Sequence, residues 1–161
     1  MNLIAKLLPA NNVLADLDAT SKKRVFEHVG MLFEQNQGIA HSTVFDSLFA
    51  REKLGSTGLG EGIAIPHGRV KGLRDALGAF VRMKAPLPFD APDGQPVKLI
   101  FVLLVPEQAT DLDLQILSEL AQMFSDKALR EGLAASSDAG EIHRLISEWS
   151  PHAASQPNTA G

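Results

Sequence analysis

The run Lys98-Leu99-Ile100-Phe101-Val102-Leu103-Leu104-Val105, stopped by Pro106, constrains the fold more than any other segment. After its first residue it is continuously apolar. A strand with one wet face alternates apolar and polar residues; a strand covered on both faces has no reason to. The rest of the chain must then supply helices for two faces of a sheet. Ser21 is placed to cap a helix running to about Gln37, with Val25, Val29, Leu32 and Phe33 on one stripe and Gly38 at its end. Ser42 reads as the start of a second helix, with Val44, Phe45, Leu48 and Phe49 on one face, ending at Lys53-Leu54-Gly55. Beyond the apolar run, Thr110 or Asp111 opens a long helix carrying Leu114, Leu117, Leu120, Ala121 and Phe124 at helical spacing. Asp126 can cap a short helix ending near Gly132. Asp138, with Glu141 three residues on, reads as a capping box for a last helix that buries Ile142, Leu145, Ile146 and Trp149. Ile63 to Ile65 and Ala79 to Met83 read as further strands; Ala85-Pro86-Leu87-Pro88 breaks the second, and Asp93-Gly94 marks a turn. The expected class is α/β, one domain, with helices on both faces of a central sheet.

A chain of 161 residues suits one domain, expected over residues 1–150, with a small, polar, aperiodic and disordered tail over 151–161. The apolar run is too short to cross a bilayer, and Met1 to Leu8 lacks the long apolar stretch of a signal peptide. The absence of cysteine excludes disulfides and thiolate metal sites and points to the cytoplasm. A formal charge of −4 argues against nucleic-acid binding.

The chemistry concentrates between Gly58 and Gly68. There, Gly58, Gly60, Gly62 and Gly68 surround His67, which follows a short apolar run and Pro66. Proline fixes its own φ, and glycines let backbone approach closely, so this imidazole is presented by a shaped segment. Imidazole titrates near neutrality and can serve as nucleophile, base or phosphoryl carrier. The segment is neither a P-loop nor a dinucleotide fingerprint, because it has no Gly-Lys-Ser/Thr and position 63 is isoleucine. Backbone N–H groups near Ser56 and Thr57 are candidates for an anion nest; a tight turn between helix and sheet is the plainer reading.

Of five histidines, His28 and His143 read as solvated helix residues, His41 precedes a helix and can serve its N-terminus, and His152 lies in the tail. None is paired at a metal-ligand spacing, so no metal is expected. Ser56, His67 and Asp111 or Asp113 contain the elements of a hydrolytic triad, but no Gly-x-Ser-x-Gly elbow accompanies them. Arg51 and Glu52 end the second helix. They read as a solvated ion pair, unless Arg51 turns toward the glycine-rich loop and offers its guanidinium to phosphate oxygens.

The block from Arg51 to Gly68 (REKLGSTGLGEGIAIPHG) closely resembles the active-site segment of the mannitol/fructose-type enzyme IIA domains of the phosphoenolpyruvate-dependent phosphotransferase system, nearest the nitrogen-regulatory branch. The likeness runs from Ser21-Lys22-Lys23 through Phe89-Asp90-Ala91, Leu103 to Pro106 and Leu117-Ser118 to the last helix. It implies a central mixed β-sheet and a phosphotransfer intermediate that needs no cofactor. His67 would accept a phosphoryl group from an HPr-like carrier, NPr in the nitrogen branch. Arg51 would neutralise that group, and Ser56, Thr57 and Gly58 would form the adjoining loop. The resemblance further implies a cytoplasmic regulator whose targets include a sensor kinase or a potassium-uptake component. Two alternatives stay open: a free-standing sugar-uptake IIA serving a separate IIB, and a non-phosphorylated interaction module. One position departs from the pattern. Many members open the long helix with a second histidine, where this chain has Asp113. Its carboxylate would either orient the His67 ring through an N–H or simply favour the helix N-terminus.

Overall fold

The computed structural model describes residues 2–108 and 110–150. Among these, the apolar run is the middle of a sheet. It forms β6 (Val97–Pro106), in which Ile100 to Leu104 have no exposed surface. On its one side β6 pairs antiparallel with β5 (Leu77–Leu87), and β5 pairs in parallel with β1 (Val13–Leu17). On its other side it pairs in parallel with two successive short strands, β3 (Ile63–Ala64) and β4 (His67–Val70). β2 (Gly58–Gly60) folds antiparallel onto β3. The described chain therefore holds a six-stranded mixed sheet.

Alternate β6 residues serve different layers. Phe101, Leu103 and Val105 pack beneath α3 (Asp111–Phe124), α4 (Lys127–Ala135) and α5 (Ala139–Glu148). Ile100, Val102 and Leu104 pack beneath α1 (Lys22–Gln37) and α2 (His41–Glu52). Each fully buried branched or aromatic side chain contributes about 1.5–3 kcal/mol relative to exposure, so this one strand anchors both layers. The expected α/β class with helices on both faces is observed.

Several boundaries moved, each for a local reason. Helix α1 starts and stops as expected: Ser21 Oγ accepts from the Arg24 N–H at 3.1 Å, and Gly38 closes it at φ 73°. Helix α2 begins at His41, not Ser42, with no side-chain cap; His41 Nδ1 lies 2.9 Å from Glu34 Oε1 instead. Strand β5 continues through Ala85-Pro86-Leu87, the segment expected to break it. Its register against β6 shifts between Arg82↔Leu99 and Leu87↔Val97, and the bulge accommodates a proline that cannot donate to a ladder. The buried stripe of α3 is Asp113, Ile116, Leu120, Met123 and Phe124; Leu114 is 65% exposed. Helix α4 runs past Gly132 to Ala135. Asp138 caps α5 through the Glu141 N–H, but the Glu141 carboxylate turns to the Ser137 N–H, so that capping box is incomplete. His143 is not solvated: its Nε2 lies 2.9 Å from the Leu8 carbonyl. Arg82, 4% exposed, makes a fork with Asp16 and donates to the Leu133 and Ser136 carbonyls, which joins β5, β1 and the end of α4. The expected tail and His152 lie outside the described residues.

Candidate functional site

The site is an interruption in the strand path that runs beside β6. β3 and β4 are two pieces of one parallel path along β6, separated by Ile65-Pro66. Pro66 has no N–H to give, yet its carbonyl still accepts from the Leu103 N–H at 2.9 Å, so the path resumes at once. His67 is thus the first residue of a new strand rather than the end of the preceding one. It pairs with Leu103 and faces the α3 layer.

Its imidazole is oriented locally. Nδ1 lies 3.0 Å from the Ile65 carbonyl oxygen. A carbonyl only accepts, so Nδ1 carries a proton, and in the neutral ring Nε2 is then the nitrogen with the free lone pair. Among the described residues no hydrogen bond engages Nε2. The ring N–H is therefore held by the backbone and not by Asp113. Asp113, 7% exposed, instead completes a capping box with Thr110: its Oδ2 accepts from the Thr110 N–H at 3.1 Å, and Thr110 Oγ1 accepts from the Asp113 N–H at 3.2 Å. The plainer of the two expectations for this carboxylate is the one observed.

The next residue brings in α2. Gly68 points to the opposite face, where an added Cβ would lie 2.1 Å from Ser47 Oγ and 3.0 Å from the Ser47 backbone. Only glycine lets the helix come this close, and Ser47 Oγ then donates to the Arg69 carbonyl at 2.7 Å. Arg51 follows Ser47 by one helical turn, on the same helix face. The result is a cleft of about 560 Å³ between α2 and α3. Arg51, His67 and Asp113 all line it, with Arg69 and the exposed Leu54 and Leu114. An adjoining hollow of about 220 Å³ shares Arg51 and His67 and is bounded by Ser56, Thr57 and Gly58. The structure therefore brings every site residue selected from the sequence to one of two contiguous hollows. Arg69 was missed, because the strand that puts it on the same face as His67 has no apolar pattern of its own in the sequence.

Glu52 was misread. It is 9% exposed, not solvated. Its Oε2 accepts from the Thr57 N–H at 3.1 Å and from Lys22 Nζ at 2.9 Å, and its Oε1 accepts from Thr57 Oγ1 at 2.7 Å. The Thr57 N–H, one candidate for an anion nest, is thus spent on a carboxylate, as is the Thr57 hydroxyl. Ser56 Oγ donates to the Phe89 carbonyl and accepts from the Gly58 N–H. The loop is a stapled wall. Arg51 is tied to it, since one of its terminal nitrogens donates to the Gly55 carbonyl at 2.8 Å.

Behind the wall, β2 and β3 form a hairpin turned by Glu61 and Gly62, with φ of 57° and 77°. Two successive positive values are the signature of a type I′ turn, which matches strand twist. Asp93 braces it by accepting from the Glu61 and Gln95 N–H groups, and these bonds hold its carboxyl below the usual range. Among the described residues no helix is long and apolar enough to cross a membrane.

Residues 6–149 match the family model described as phosphoenolpyruvate-dependent sugar phosphotransferase system, EIIA 2. A nitrogen regulatory protein of Pseudomonas aeruginosa is 40% identical over 144 residues, which cover 89% of this chain and 94% of that protein. A nitrogen regulatory protein of Klebsiella oxytoca is 43% identical over 130 residues, 80% of each chain. The crystal structure of nitrogen regulatory protein IIA-Ntr from Neisseria meningitidis superposes with a TM-score of 0.84 at 52% identity, covering 90% of this chain and 99% of that one. With the same three-layer fold and matches across nearly its whole length, the chain belongs to the EIIA type 2 family of the phosphotransferase system.

Proposed function

We propose that His67 is the phosphoryl acceptor of a regulatory enzyme IIA, loaded by an HPr-like carrier of the NPr kind. The observation that carries this reading is the ring's orientation: with Nδ1–H committed to the Ile65 carbonyl, Nε2 is the nitrogen that a neutral ring offers as nucleophile. The Nε2 lone pair forms the new N–P bond while the donor's N–P bond breaks and leaves its electron pair on the donor nitrogen. The Nδ1 proton stays where it is. Transfer of this kind passes through a loose transition state, so the protein's work is positioning and charge stabilisation. Arg51 supplies a cation at the cleft wall, in the last turn of α2. Ser56, Thr57 and Gly58 shape the hollow next to His67, and the Gly55 carbonyl just before them holds Arg51 in place. Leu54 and Leu114, 84% and 65% exposed at the mouth, offer a carrier an apolar rim.

The nitrogen-regulatory relatives favour regulation over sugar uptake. The protein would act in the cytoplasm, its phosphorylation state deciding engagement of a target such as a sensor kinase or a potassium-uptake component. The test is to incubate it with phosphoenolpyruvate, enzyme I and carrier, and to read its intact mass. One phosphoryl adduct is expected on wild type and none on His67→Ala, while Arg51→Ala acquires it more slowly. An adduct that survives His67→Ala overturns the assignment.

A further inference from the structure

We propose that Arg69 is a second phosphoryl-contacting residue, which supplies the cation that this cleft needs because Asp113 stands on its other wall. The inference rests on His67 being the acceptor. Three observations support it. First, strand β4 alternates, so His67 and Arg69 leave the same face, with Cα atoms about 6.6 Å apart at the usual rise. Both line the same cleft, and Gly68 between them points its Cα hydrogen toward Ser47 of α2. Second, Arg69 is exposed, and among the described residues no hydrogen bond or ion pair engages its guanidinium. The strand beneath it is nevertheless held, because Ser47 Oγ donates to its carbonyl and its backbone pairs with Val105. A fixed stem with an uncommitted, forked head suits bidentate binding of phosphate oxygens. Arg51 is less free, since it already donates to the Gly55 carbonyl.

Third, the charges require it. A phosphoryl group brings about −1.5 to −2 charges at neutral pH. Of the residues lining the cleft, Arg51 and Arg69 are cations and Asp113 is an anion. Asp113 cannot be turned away, because its carboxylate is fixed by the Thr110 N–H. Arg51 and Asp113 alone would leave the cleft without net positive charge. Arg69 restores it from the strand that carries His67.

The experiment follows transfer from a phosphorylated HPr-type carrier to wild type, Arg69→Ala, Arg69→Lys and the double variant Arg69→Ala with Asp113→Asn, with fold checked by circular dichroism. It reads the limiting rate, the carrier concentration giving half that rate, and the phosphorus NMR shift of the adduct. Arg69→Ala should lower the limiting rate about tenfold, less than the ~10²–10³ of a buried donor because this site is wet. The half-saturating concentration should change less than twofold. Arg69→Lys should recover part of the rate. So should Asp113→Asn in the Arg69→Ala background, since it removes the charge that Arg69 offsets while Asn still accepts from Thr110. The adduct's phosphorus shift should move in Arg69→Ala. An unchanged limiting rate overturns the proposal, as does an effect confined to half-saturation, which would make Arg69 a docking residue. If Arg69→Ala proves unstable, Arg69→Gln is held to the same outcomes. Wild type that acquires no phosphoryl group overturns the acceptor reading as well; a normal adduct with an indifferent Arg69 overturns this inference alone.

Discussion

Replacing Glu52 with alanine should cost the protein about 3–4 kcal/mol of stability. The carboxylate is 9% exposed and receives three donors, namely the Thr57 N–H, the Thr57 hydroxyl and Lys22 Nζ. A hydrogen bond to a charged group is worth about 1.5–3 kcal/mol net, and a buried donor left without a partner forfeits about 1–3 kcal/mol. Thr57 is 5% exposed, so water cannot easily take over its two bonds. Lys22 is different. Its side chain is 21% exposed, its Nζ also lies 3.4 Å from Asp90 and 3.3 Å from the Phe89 carbonyl, and it can hydrate when Glu52 is gone. Its bond to Glu52 therefore adds little. Two buried bonds at about 1.5–2 kcal/mol each give the figure.

For a chain of this size each kcal/mol is worth roughly 2–4 °C, so the melting temperature should fall by about 6–16 °C. Urea unfolding of wild type, Glu52→Ala, Thr57→Val and the double variant gives the coupling directly. Thr57→Val removes the hydroxyl alone and should cost about 1–2 kcal/mol. The double variant should cost less than the sum by at least 1 kcal/mol, because the two side chains lose the same bond. A Glu52→Ala cost below about 0.5 kcal/mol, the range of an ordinary surface change, would refute the view that this carboxylate staples the loop.

Two further outcomes follow from the same geometry. Gly68→Ala puts a methyl group against the Ser47 backbone at 3.0 Å, so α2 must move; a loss of about 1–3 kcal/mol is expected in urea unfolding, together with slower phosphoryl uptake, and a stable, normally reactive variant would show that α2 does not need this approach. Asp93 has a depressed carboxyl because two N–H groups bond its charged form, so its contribution is present above the ordinary carboxylate pKa and lost as pH falls through the lower folded value. Acid titration followed by NMR should therefore move the Glu61 and Gln95 amide signals together, below the pH at which a free aspartate titrates, and independent midpoints would sink the link.

What the sequence made legible, and what it hid, divides along the range of the forces involved. The apolar run at 98–105 revealed a strand covered on both faces because burial writes itself into composition. Ser21 and Gly38 bounded α1 because capping is settled within a few residues. The hairpin at Glu61-Gly62 escaped notice since one of its two left-handed residues is a glutamate, not the usual asparagine or glycine. Strand β4 was hidden for a different reason: His-Gly-Arg-Val has no apolar pattern of its own and is a strand only because β6 offers it a ladder.

The site shows the same division with more consequence. His67 stood out because proline and glycine shape its backbone locally. The partners that define its chemistry are not visible from spacing. Ile65 orients the ring through a carbonyl, which any residue could supply. Glu52, next to Arg51 in sequence, turns away from it to hold a loop five residues on. Asp113 lies in the cleft but is spent on its own helix. The acidic position therefore cannot replace a second histidine as a ring partner, and what it contributes to the cleft is charge. If His67 accepts a phosphoryl group as proposed, the burden of neutralising it falls on guanidinium groups, with Arg51 on the helix wall and Arg69 on the strand that carries His67.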